Sequence, residues 1–256
     1  MKKITLLLIV TGMIFSVTAQ PLLTIKELAG NNKSPLQVID NPNRSTPPGT
    51  MLYSQPFSCP PWNGLRSETV SSGAEAADDF IISTVSDVNI ARWWFFMADD
   101  PATTGWIIRI YDNQACLPSN LLGTWSIAAA DVTYEYVCNQ WGWTIFDCWA
   151  EFSPAFTPTP NEHYWISIQA VNWDEYWCVY GNPGDIFNCS GAFRSAYHGW
   201  PDWIPNEPVL GVPSDMTFEL YYNTPAPGEV PISNWAIGIG IFLILTLAVL
   251  RFRRMV

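Results

Sequence analysis

The sequence predicts an all-β fold: a two-sheet antiparallel sandwich of jelly-roll type, with an N-terminal signal peptide and one C-terminal transmembrane helix. Three observations lead there. Short segments rich in Ile, Val, Trp, Tyr and Phe alternate with clusters of Gly, Pro, Asn and Asp, and several of them repeat with period two. No internal stretch carries the apolar stripe of an amphipathic helix, and Ser126 to Asp131 is too short to form one.

In chain order, residues 1–19 read as a signal peptide. Lys2 and Lys3 precede an apolar run from Ile4 to Val10, and Val17 and Ala19 occupy the small-residue positions before a cleavage site ahead of Gln20. Residues 20–49, rich in Asn, Pro and Ser, form an extended lead-in, and 50–223 form the sandwich ectodomain, long enough for one ordinary core. Within it, Val88–Met97, Ile107–Tyr111, Tyr164–Val171 and Met216–Tyr222 are the clearest strands, and eight to ten strands are expected in all. Ile166 and Ile168 share one face of their strand, as do Met216, Phe218 and Leu220 of theirs. Residues 224–231 are a Pro-rich spacer. Residues 232–250 are almost wholly apolar and long enough to cross a bilayer, and the Arg-rich tail 251–256 is expected to stay cytoplasmic. The expectation is an exported, single-pass envelope protein whose ectodomain faces outward until any processing occurs.

Charge narrows the partners. The ectodomain carries 7 basic against 23 acidic residues, a formal charge of −16. That sign disfavours nucleic acid and anionic lipid, permits cations, and equally serves solubility. Six cysteines in an exported domain suggest three disulfides. Fifteen pairings exist. Hairpin-sized spacing favours Cys138–Cys148 and Cys178–Cys189, which leaves Cys59–Cys116. Zinc fits poorly, because no Cys-x-x-Cys occurs and His163 and His198 are far apart in sequence.

Thirteen of the fourteen tryptophans precede the apolar tail. Exposed aromatic faces stack on the C–H faces of sugars, so Trp173, Tyr176, Trp177, Trp200 and Trp203 are the candidate polysaccharide-binding residues, with Trp141 and Trp143 beside them. The competing reading is that these aromatics fill the core. Acidic loops offer oxygen ligands, which makes Asp78, Asp79, Asp99, Asp100 and Asp112 candidates for calcium, although turns use Asp in the same way. No other cofactor is indicated. Without Gly-x-Ser-x-Gly, His-Glu-x-x-His or a phosphate-cradling glycine loop, the chain reads as a non-catalytic binding or adhesion protein, with a structural matrix protein as the alternative and a secreted hydrolase behind both.

Two resemblances sharpen this expectation. Val230-Pro231-Ile232-Ser233-Asn234-Trp235, the apolar run and Arg251-Phe252-Arg253-Arg254 resemble the PEP-CTERM and IPTL-CTERM sorting signals of bacterial envelope proteins, although the Pro-Glu-Pro triplet is absent. That likeness implies a membrane-embedded sorting enzyme of the exosortase kind as a partner. Ala76-Ala77-Asp78-Asp79-Phe80, Arg109-Ile110-Tyr111-Asp112-Asn113, Leu117 to Gly123 and His163 to Gln169 are similar to secreted bacterial choice-of-anchor β-sandwich domains. That similarity implies architecture and location, and no catalytic residues.

Overall fold

The computed structural model describes residues 46–97, 101–172 and 174–223. The expected signal peptide, nearly all of the lead-in, the spacer, the apolar helix and the basic tail lie outside the described residues, as do Asp99, Asp100 and Trp173. Among the described residues no helix is long and apolar enough to cross a membrane.

Among the described residues, thirteen strands form two antiparallel sheets. The first sheet is built on β4 (Val88–Met97). On one side β4 pairs along its length with β8 (Trp143–Phe156), and β8 pairs outward with β7 (Thr133–Gln140). Two short strands share the other side of β4. β13 (Phe218–Tyr222) lies along its first half and is followed by β1 (Thr50–Gln55), while β10 (Tyr176–Cys178) lies along its second half and is followed by β2 (Gly64–Arg66). The second sheet runs β12 (Trp200–Pro205), β11 (Ala192–Ser195), β3 (Glu75–Ile81), β9 (His163–Val171), β5 (Gly105–Asn113) and β6 (Pro118–Ile127). A single helical turn, α1 (Glu207–Leu210), ends at Gly211, whose φ of +82° suits glycine.

Between the sheets, Trp93, Phe95 and Met97 of β4 meet Trp106, Ile108 and Ile110 of β5 and Ile166 and Ile168 of β9. Phe95 sits edge-on to Trp106 at 4.7 Å, and Trp177 of β10 stacks beside Phe95 at 6.1 Å. The alternation expected for β9 and β13 is present: Ile166, Ile168, Phe218 and Leu220 all face this core. β4 does not alternate, because both of its faces are covered. Its outward residues Trp94 and Phe96 lie under a second cluster with Ile145 and Tyr176, and Phe57 from the segment after β1 stacks on Trp94 at 5.8 Å. The second sheet has a matching outer layer of Ala77, Tyr111, Trp165 and Ala192, with Trp203 packed against it.

Each outer layer is stapled, and the staples are not the expected ones. Cys59 bonds to Cys138 and Cys116 to Cys189, while Cys148 and Cys178 are buried thiols. All three expected pairings are therefore replaced. Strand register gives the reason. Cys148 pairs with Trp93 and faces inward, whereas Cys138 pairs with Ile145 and faces the outer layer. Cys178 shares that outer layer, while Cys189 belongs to the layer on the other sheet. Hairpin proximity in sequence put these sulfurs on opposite faces. Burial pushes both free thiols well above their ordinary pKa, so they pack as inert apolar groups.

Candidate functional site

The sequence-predicted aromatics do not form one site. Tyr176 and Trp177 are fully buried strand residues, which corrects the expectation that they serve a ligand. The Trp177 indole donates to the Thr217 carbonyl at 2.7 Å, and the Tyr176 hydroxyl accepts from Arg66 at 2.7 Å. Trp200 and Trp203 stand on β12 and not in a loop, and both are half-buried. Trp200 packs edge-on to Phe193 in the main core. Trp203 lies in the outer layer under the Arg194 guanidinium, 4.5 Å away, and edge-on to Tyr111. Trp141 and Trp143 cap the outer layer of the first sheet, stacking on Phe96 and meeting Tyr176 edge-on. A sandwich covered on both outer faces needs far more aromatic surface than one with a single core, and these residues supply it.

A concave surface exists elsewhere, at the open edge where β6 faces β8. It encloses about 320 Å³ above Trp125 and Phe152, whose rings meet at 4.7 Å, and Asp131, Glu151, Ser126 and Ser153 stand at its rim. The Trp125 indole donates to the Pro154 carbonyl at 2.8 Å, which fixes the ring. The ring also folds back over Gly123, where a Cβ would come within 2.4 Å of it, so only glycine permits this floor. Along β7, Tyr134 and Tyr136 follow Val132 with period two on the same side and are 36% and 39% exposed.

The predicted acidic residues separate into two kinds. Asp112 braces its own hairpin: its carboxylate accepts from the Asn120 amide at 2.5 Å and the Asn120 side chain at 2.8 Å, and these bonds hold its pKa below the ordinary range. Asp78 and Asp79 are fully buried and are joined by Asp215, which no local sequence signal picks out. One carboxylate oxygen from each lies within 4.8 Å of the other two.

Topology creates this cluster. β11 pairs with β3 only as far as Ala77, so Asp78 and Asp79 occupy a stretch of β3 that β11 leaves free, and residues 214–216 enter beside it. Gly191 lets the chains close, since a Cβ there would lie 2.8 Å from the Asn206 side chain and 3.0 Å from the Ser214 carbonyl. Asp78 accepts from the backbone amides of Asp79, at 2.8 Å, and Met216; Asp215 accepts from the Phe187 amide. The Gln55 amide nitrogen, turned toward Met216 O at 2.7 Å and Asp78 Oδ2 at 2.9 Å, brings β1 of the first sheet into contact. His163 Nε2 lies 2.5 Å from Asp79 Oδ2. Burial raises the Asp78 pKa strongly, reinforced by the charges of Asp215 and Asp79, and burial lifts Asp215 to about 8 against the opposing hydrogen bond from Phe187. Cys189 lies near Asp79 and His163, but its sulfur is bonded to Cys116.

No family model, curated protein or solved structure matches the chain.

Proposed function

We propose that the chain is a non-catalytic binding module, exported and tethered at the cell surface through its C-terminal segment, which engages polysaccharide at the open edge between β6 and β8. The observation that carries this reading is the chemistry of that edge: a rigid aromatic floor of Trp125 and Phe152 with hydroxyls and carboxylates at the rim. A sugar presents the complementary surface, with an apolar C–H face ringed by hydroxyls. The two disulfides support an oxidising compartment, in keeping with the signal-like N-terminus and the sorting-like tail.

The test is tryptophan fluorescence of the full chain in detergent micelles, titrated with a panel of soluble polysaccharides. Saturable binding by the parent, weakened about tenfold or more in Asp131→Asn or Glu151→Gln and unchanged in Trp203→Ala, is the expected result, since one lost hydrogen bond to a charged group is worth about 1.5–3 kcal/mol. Equal binding by all these variants sinks the edge reading. An absence of saturable binding together with concentration-dependent self-association favours a structural matrix role instead.

A further inference from the structure

We propose that Asp78, Asp79 and Asp215 hold one calcium-sized, hard divalent cation that ties the two sheets together at the free stretch of β3. The argument is independent of the polysaccharide reading. Three carboxylates, each from a residue with no exposed surface, converge within 4.8 Å. Among the described residues no lysine or arginine forms an ion pair with any of them, and His163 engages one oxygen of Asp79 alone. Two buried oxygens in the cluster, Asp79 Oδ1 and Asp215 Oδ1, have no hydrogen-bond partner. Burying an unpartnered carboxylate oxygen is costly unless a positive charge or a donor meets it, and one cation can meet both oxygens at once.

The donor set selects the class of ion. All three ligands are carboxylates, which suits a hard cation. The Cys189 sulfur, which lies by Asp79, is bonded to Cys116, and His163 Nε2 faces Asp79 Oδ2, so these sulfur and nitrogen ligands, of the kind zinc prefers, are already engaged. Calcium accepts irregular, largely dehydrated oxygen cages, whereas magnesium holds its waters and demands octahedral geometry. Asp185, on the exposed turn before Phe187, adds negative charge close to Asp215. Its Oδ2 already accepts from the Asn182 amide at 2.7 Å. The ligands come from β3 in one sheet and from the approach to β13 in the other, so the cation would bridge strands that no disulfide joins.

The experiment is thermal unfolding of the full chain in detergent micelles, first in excess EDTA and then with calcium, magnesium or zinc added back, alongside Asp215→Asn, Asp79→Asn and the surface control Asp112→Asn. At roughly a hundredfold excess over Kd, calcium should raise the parent Tm by about 5–10 °C, and magnesium should raise it less. The Asp112→Asn variant should respond like the parent. Asp215→Asn should lose the calcium response while melting in EDTA no lower than the parent, because an amide keeps the shape of the buried acid and carries no charge to desolvate. No calcium shift in the parent overturns the proposal whatever the variants do. So does a shift that survives in both Asp215→Asn and Asp79→Asn, and a response to zinc alone overturns the hard-cation assignment.

Discussion

Two buried clusters in this sandwich handle negative charge in opposite ways. On the outer face of the first sheet, Arg92 makes a bidentate pair with Asp147, at 2.9 and 2.6 Å, and reaches Glu219 at 3.0 Å; Tyr221 donates to the same glutamate. The guanidinium also lies 4.8 Å from the Trp94 ring. Burial works against its charge, but Asp147 and Glu219 outweigh that and raise its pKa. The outer face of the second sheet carries the complementary arrangement, in which Glu75 receives both Arg109 and Arg194. The Asp78, Asp79 and Asp215 cluster has three carboxylates and no guanidinium. An acid cluster that brings its own cations needs nothing further to be stable, whereas one that lacks them must hold protons or bind an ion.

The sharpest way to break this comparison is Arg92→Met, which strands two buried carboxylates and should cost about 3–5 kcal/mol in urea unfolding. Replacing Asp147 and Glu219 by leucine in the same chain should recover most of that loss. If Asp215→Asn in EDTA proves as damaging as Arg92→Met, the two clusters are equally self-sufficient and the contrast fails.

A somewhat smaller effect is expected from the staples. Cys59→Ser with Cys138→Ser, or Cys116→Ser with Cys189→Ser, should each cost about 2–4 kcal/mol, since each bond closes a loop of more than 70 residues. Only the second pair lies beside Asp79, so only its loss should also weaken the calcium response, as read by the same melting shift. Equal effects of the two pairs on calcium would show that the ion senses global stability and not its local surroundings.

The smallest effect belongs to Glu68, a buried acid whose hydrogen-bond donors are uncharged. Burial opposes its ionisation, yet the hydroxyls and amides of Ser71 and Ser72 prevail and hold its pKa below the ordinary range. A depressed carboxylate stabilises the fold above its unfolded pKa of about 4.3 and loses that contribution as pH falls through its folded value. Glu68→Gln should therefore cost about 1 kcal/mol at neutral pH, with the difference from the parent vanishing toward pH 3 in pH-dependent melts. A difference that stays constant with pH would mean that the carboxylate's charge contributes nothing.

Much of the strand pattern was legible in the residues, because alternation reports a face. Ile166, Ile168, Phe218 and Leu220 could be assigned to one side from spacing alone, and the segment that became β4 was bounded correctly. β8, the longest strand at 14 residues, escaped notice because Asp147 and Pro154 interrupt its apolar character. Asp147 is tolerated there only because Arg92 stands next to it on β4, a neighbour 55 residues away. The expectation of eight to ten strands fell short for the same reason, since β2 and β10 are three residues each and exist only where β4 offers them an edge.

Chain-local chemistry determined the all-β character, the acidic composition and the candidacy of Asp78 and Asp79, since alternation, charge and residue type are properties of neighbouring positions. Tertiary structure alone decided which cysteines bond, which tryptophans are buried and that Asp215 completes the acidic cluster. Those outcomes depend on the face each strand presents and on which distant segment crosses it, and a side chain's partner across a sheet is set by register and not by distance along the chain.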